Sequence, residues 1–204
     1  MTAPKHMFNH SAKPAPSAEA QAYGQDLLNA LRKQFPDMDD VMWLVKNGAS
    51  FDATDARGDT ALHLAVRMQL KDIVREMVVR GADVNAANLA GNTPVILAAT
   101  GGSDVMRNVL IPKPNLAHRN NGGNDALTCA VASEKSDNMH LLLAAGAEVD
   151  AKLIALAERL ERKSLIGDLR RAMQQQQEEL GRRVSMTGRD ITVLKPPRIL
   201  RPKH

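Results

Sequence analysis

Two short landmarks return at one spacing along this chain, and that spacing limits the folds open to it. Gly58 in RGDTALHLA lines up with Gly91 in AGNTPVILA and with Gly123 in GGNDALTCA, at intervals of 33 and 32 residues. A second landmark runs independently of the first. Asn47-Gly48-Ala49, Arg80-Gly81-Ala82 and Ala145-Gly146-Ala147 each close an apolar stretch, with 33 residues from Gly48 to Gly81 and 65 from Gly81 to Gly146. Residues 55–86 show the unit in full: a turn signal at Arg57-Gly58-Asp59, a short helical pattern over 60–67, and a longer one over 71–80. Gly81 stops the second helix, since glycine takes positive φ without steric cost. Two helices of this length cannot bury an apolar stripe alone, so the unit has to stack on copies of itself.

The period, together with the helix start Thr60-Ala61-Leu62-His63-Leu64-Ala65, resembles the ankyrin repeat family over residues 37–150, with partial units at either end. The resemblance implies an all-α ankyrin-repeat solenoid of stacked helix–turn–helix units, with short β-turn or hairpin loops and capping helices at both ends. The expected division is a capping repeat at 17–53, repeats at 54–86, 87–119 and 120–150, and a C-terminal cap at 151–180. Tails of 1–16 and 181–204 flank them. The match is uneven. Ala61 stands where the family usually has proline, Val95-Ile96 replaces Leu-His, and the fourth unit keeps only Asp125-Ala126-Leu127-Thr128. Where repeat three should show Gly-Ala, the chain reads Ile111-Pro112-Lys113-Pro114-Asn115. Proline lacks the helical donor and restricts the residue before it, so that helix should end early. An irregular junction between repeats three and four is expected there, absorbing the one-residue deletion.

The ends are read from local signals. Ser17 is an N-cap candidate, with Tyr23, Leu27, Leu28, Leu31 and Phe35 recurring at helical spacing behind it. Gly24 within that helix costs up to ~1 kcal/mol relative to alanine. Pro36-Asp37 breaks the pattern and 38–46 forms a second helix, whose Trp43 either packs or stays at the edge. After Asp150 the turn signal is missing, and 151–162 runs directly into a helix carrying Leu153, Ile154, Ala157 and Leu160. Ser164 is expected to cap a last helix through Leu165, Ile166, Leu169 and Met173, ending at Gly181. Proline and small polar residues over 1–16, and basic residues with proline over 181–204, read as disordered.

Composition narrows the function classes. Aromatic residues are 2% of the chain, so the core is built from Ala, Leu, Val, Ile and Met, which suits thin stacked helices. The lone Cys129 excludes an internal disulfide and fits a reducing compartment, and its apolar helical setting reads as an inert thiol. No apolar run approaches the ~18 residues of a membrane span, and the first residues lack a signal-peptide core. A cytoplasmic monomer is expected, while export by a route that reads no N-terminal signal stays open. The net charge of +4 arises in the tails: Lys5 and Lys13 at one end, and Arg182, Arg183, Arg189, Lys195, Arg198, Arg201 and Lys203 against Asp190 at the other. The body between them is mildly acidic, which argues against a basic nucleic-acid groove on the repeats.

No catalytic constellation is found. The histidines lack metal-ligand spacing, and Thr100-Gly101-Gly102-Ser103 and Asn121-Gly122-Gly123-Asn124 lack the phosphate-loop lysine. Asp37, Asp39 and Asp40 sit at a helix start, where they meet its dipole favourably. The reading is of a non-enzymatic module with no cofactor, no metal and no small-molecule substrate. The resemblance gives His63 a hydrogen-bonding role within and between repeats. It also implies a concave face for a protein partner, made of turn tips and the exposed side of the first helices. Transferred residue by residue, the tips are Ala56, Arg57 and Asp59, then Leu89, Ala90 and Asn92, then Asn121, Gly122 and Asn124. The first helices add Arg67 and Met68, Thr100 and Gly101, Ala132 and Ser133. Within this set Arg57, Asp59, Arg67, Met68, Leu89, Asn92 and Asn124 are the candidate protein-binding residues, with Leu89 and Met68 as apolar anchors and the arginines for an acidic partner. The alternative places function in the basic tail, binding nucleic acid or an anionic membrane with the repeats as scaffold. The tail has no aromatic residue for base stacking, which weighs against sequence-selective RNA binding.

Overall fold

The first helix begins where Ser17 caps it, its hydroxyl accepting from the Ala20 N–H at 3.2 Å. From there the computed structural model describes residues 17–33 and 36–186. Phe35, the tail 1–16 and residues 187–204 lie outside the described residues. Ten helices and a single isolated Thr54–Thr60 bridge make up the described structure, in two compact units, 1–147 and 148–204.

The first unit contains α1 (Ala18–Arg32), α2 (Met38–Lys46), α3 (Ala61–Arg67), α4 (Lys71–Val79), α5 (Pro94–Ala99), α6 (Ser103–Leu110), α7 (Ala126–Ala132) and α8 (Ser136–Ala144). The odd-numbered helices pack side by side as one layer and the even-numbered helices as another. Small residues let the first layer close up: Ala65, Ala98 and Ala130, one repeat apart, are fully buried. The core between the layers holds Leu62, Val66, Val74, Met77, Met106, Val109, Met139 and Leu142. Gly24 also has a packing reason. A Cβ built there would stand 2.6 Å from the Ser50 carbonyl oxygen, and the Ser50 N–H donates to the Ala20 carbonyl at 2.7 Å.

Each first helix starts the same way. A side-chain oxygen of the residue before it accepts from the N–H three residues on: Thr60 from His63, Thr93 from Ile96, Asp125 from Thr128. Helix ends follow a rule too. Gly48, Gly81 and Gly146 hold φ values of 86°, 88° and 95°, and Lys113 takes the same left-handed place at 55°. The N–H of Ala82 donates to Met77 and that of Ala147 to Leu142, each at 2.9 Å. Pro114, at the equivalent position, has no N–H to give.

The deletion falls elsewhere than expected. The interval from Gly81 to Gly91 equals that from Lys113 to Gly123, so the proline junction is full length. The missing residue comes out of repeat three's first helix instead: α5 has 6 residues where α3 and α7 have 7. Gln69 and Glu134 turn α3 into α4 and α7 into α8 with φ of 58° and 55°, whereas α5 passes to α6 through Gly101-Gly102 without a left-handed residue.

The second unit contains α9 (Ala151–Arg159) and α10 (Lys163–Met186), packed on each other. Asp150 caps α9 through the Leu153 N–H at 2.7 Å. The turn between them repeats the scheme of the first unit. Glu161 has φ 56°, the Arg162 N–H donates to Ala157, and the Lys163 N–H to Glu161, as Leu70 does to Ala65 and Lys71 to Gln69. This pair is thus built as a repeat that has lost its tip. Two expectations are corrected here. Ser164 lies inside α10 and does not cap it, and α10 does not stop at Gly181 but runs to Met186.

Candidate protein-binding face

Each tip of the first unit is folded around one side-chain oxygen. Asp55 Oδ1 accepts from the N–H groups of Arg57 and Asp59 at 2.8 and 3.0 Å. Asn88 Oδ1 accepts from Ala90 and Asn92 at 3.0 and 2.9 Å, and Asn120 Oδ1 from Gly122 and Asn124, both at 3.0 Å. The turn then needs a left-handed residue, and Gly58, Gly91 and Gly123 supply it with φ of 72°, 74° and 76°.

An amide does more than a carboxylate at this position, because it also donates. Asn88 Nδ2 donates to Asp59 Oδ1 at 2.7 Å, and Asn120 Nδ2 to Asn92 Oδ1 at 2.8 Å. Main-chain bonds parallel these. The Leu89 N–H donates to Arg57 and the Asn121 N–H to Ala90, at 3.0 and 3.1 Å. Three successive tips are therefore fastened into one ribbon.

His63 fastens the ribbon to the helices. Its Nδ1 accepts from the Thr60 N–H at 3.1 Å, which fixes the tautomer and leaves Nε2–H to donate to the Asn92 carbonyl at 3.0 Å. Burial holds its pKa below the ordinary histidine value, against the pull of the Asn92 bond and of Asp59. His118 Nε2 donates to the Gly91 carbonyl at 2.8 Å, so the middle tip is held by a histidine from each side.

The seven candidate residues divide by exposure. Leu89 stands 73% exposed, its carbonyl accepting from Asn121 Nδ2 at 3.0 Å. Met68 is 38% exposed, and Arg57 and Asn124 are open to solvent. Arg67 is 43% exposed and donates to Asp59 Oδ2 at 2.6 Å. Asn92 is half-buried and spent on His63 and Asn120. Asp59 is fully buried, so it offers no carboxylate to a partner, and its direct binding role is corrected to that of a scaffold. Burial pushes its pKa up, but the bonds from Asn88 and Arg67, with the charges of Arg67 and His63, bring it below the usual carboxylate value.

Asp55, Asn88 and Asn120, which build the tips, were not singled out from the sequence. Their signal was present: an Asp or Asn three residues before each tip glycine. Arg119, whose guanidinium reaches Asp125 at 2.9 Å, gives no such periodic sign. Cys129 is half-buried, and burial first, then the Asp125 charge, push its thiol pKa up, away from nucleophile chemistry. Among the described residues no cluster of His, Cys, Asp or Glu is arranged to hold a metal, and no helix is long and apolar enough to cross a membrane.

Tips, capped first helices and left-handed turns recurring at one period define a helical repeat protein. The chain belongs to the ankyrin-repeat family: the family model described as ankyrin repeats (3 copies) matches residues 18–88 and 71–152. Among curated proteins it is similar to the nuclear factor NF-kappa-B p105 subunit of Rattus norvegicus, 35% identical over 120 residues, 55% of this chain and 12% of that protein. It is similar to putative palmitoyltransferase ZDHHC13 of Danio rerio, 33% identical over 54% of this chain and 18% of that protein. To ankyrin repeat domain-containing protein 63 of Homo sapiens it is 38% identical over 82 residues, 40% of this chain and 20% of that protein. The chain thus spans a fifth or less of the length of these relatives. Ankyrin repeats as a family are protein–protein interaction modules and typically carry no catalysis of their own.

Proposed function

We propose that this protein binds another protein through the face formed by its tips and first helices, without chemistry of its own. Leu89 carries the reading. A large apolar side chain is held out in solvent on a backbone pinned from both neighbouring tips, so docking costs it little ordering. Met68, from the end of α3, adds a flexible apolar contact that adapts to the partner's shape. Arg57 and the free edge of the Arg67 guanidinium supply donors for an acidic side chain. Asp59 holds Arg67 in place from beneath, and Asn92 and Asn124 belong to the frame that presents these groups. The partner's complementary patch is an apolar side chain flanked by a carboxylate.

Cross-linking mass spectrometry on affinity-purified full-length protein tests this. Cross-links to a partner should fall on residues 56–68 and 89–92, and the double variant Leu89→Arg, Arg57→Glu should lose them. Partners retained unchanged by that variant would sink the assignment of this face.

A further inference from the structure

The chain has one tryptophan and one tyrosine, and the fold brings them together on its surface. Tyr23 of α1 and Trp43 of α2 meet edge to face with ring centroids 5.8 Å apart. Trp43 remains 53% exposed. In a chain only 2% aromatic, whose core among the described residues is aliphatic apart from Phe51, Trp43 stands outside that core. The helical neighbours of both rings are acidic. Glu19 and Asp26 lie four residues before and three after Tyr23, and Asp39 and Asp40 lie four and three before Trp43, all exposed; Lys46 is the one base at such spacing. An aromatic face rimmed by carboxylates selects a cation with an apolar or proline stem.

Such a segment adjoins it. Residues 1–16 carry Lys5 and Lys13, Pro4, Pro14 and Pro16, and no acid, and Lys13-Pro14-Ala15-Pro16 leads straight into the Ser17 cap. Tyr23 lies about 9 Å along α1 from that cap, at ~1.5 Å per residue. Four extended residues cover about 13 Å, which brings Lys13 back to the level of the aromatic pair. We infer that residues 1–16 dock on the Tyr23–Trp43 surface, prolines against the rings and Lys13 over an aromatic face within the carboxylate rim. This surface is separate from the tip face and does not depend on that reading.

Trp43 is the chain's only tryptophan, so fluorescence of the full-length protein reports on it alone. The expected result is a Trp43 less accessible to acrylamide than its exposure in α2 implies. The Lys5→Glu, Lys13→Glu variant should raise the quenching constant and shift emission to the red, since one exposed cation–aromatic contact changes occupancy about two- to fivefold. Pro14→Ala, Pro16→Ala should do the same, and high salt should do so in the wild type by screening the rim. All of these substitutions precede the Ser17 cap, and unchanged circular dichroism will confirm that the fold is intact. A wild-type Trp43 quenched as freely as an exposed indole, or shielding that both variants leave in place, would overturn the inference.

Discussion

His63 serves two backbone neighbours with one ring, and this makes it sensitive to pH in a defined direction. Its unprotonated Nδ1 accepts from the Thr60 N–H, which it can do only while the ring is neutral. Burial already lowers its pKa, with Arg67 adding to that effect and Asp59 and the Asn92 carbonyl opposing it. In the unfolded chain the ring titrates near its ordinary value of 6.5. Between that value and the lower folded one the unfolded state binds more protons, so stability is complete above pH ~6.5 and falls as the solution is acidified. NMR titration of the His63 ring in the native protein should give a midpoint below 6.5; a midpoint at or above it would contradict the buried neutral tautomer. Asp59 adds a second, more acidic step. Its folded pKa is also lowered, so its contribution holds above the ordinary 3.8 and disappears as pH falls through the folded value. The loss that sets in below pH 6.5 is the imidazole's, and the one that sets in below 3.8 is the carboxylate's.

Helices show how the repeat copes with its own irregularities. α5 lacks the left-handed turn residue that ends α3 and α7, and carbonyls at its end gain a donor from outside. Asn138 of α8 is buried and shares its Nδ2 hydrogens among the carbonyls of Ala98, Ala99 and Gly101, at 3.2, 3.0 and 3.0 Å. Gln69 helps from the other side, its Oε1 accepting from the Gly102 N–H at 2.7 Å. A buried asparagine stands where neighbouring repeats place apolar side chains, and its own Oδ1 finds no partner. Asn138→Ala should therefore cost about 1–3 kcal/mol by stranding those carbonyls. Asn138→Leu should not recover it, although leucine restores apolar bulk at the site. Chemical denaturation of the three proteins decides the matter; a leucine variant more stable than wild type would mean that the carbonyls find other donors. None of this could be read from the sequence, which shows a missing residue but not where a three-dimensional partner makes it good. The prolines at 112 and 114 are the strongest local punctuation and so point to the wrong place for the deletion. Lys113 in fact takes the glycine conformation and keeps the spacing.

At the scale of the molecule, what the sequence made legible was whatever repeats. The period, the helix starts at Thr60 and Thr93, and the closing glycines at 48, 81 and 146 are local rules that recur, so one copy explains the others. Burial of Asp59 was hidden, because a tip charge looks exposed until the neighbouring tip supplies Asn88 above it. The same nearest-neighbour logic governs stability, which in such arrays is close to a sum of repeat terms and interface terms. Leu62 is buried in α3, which packs on α1, α4 and α5, and Leu62→Ala should cost about 2–5 kcal/mol. That loss should not spread evenly. The end of α6 lacks the local backbone bond that Ala82 and Ala147 make at equivalent places, because Pro114 has no N–H, and we expect coupling across this joint to be weaker. Hydrogen exchange on the full-length variant should then show lost protection in α1 to α6, strongest in α3 and α4, with α7 and α8 changed least. An equal drop in all eight helices would show that the first unit unfolds as one body and that the proline joint transmits strain as well as the others do.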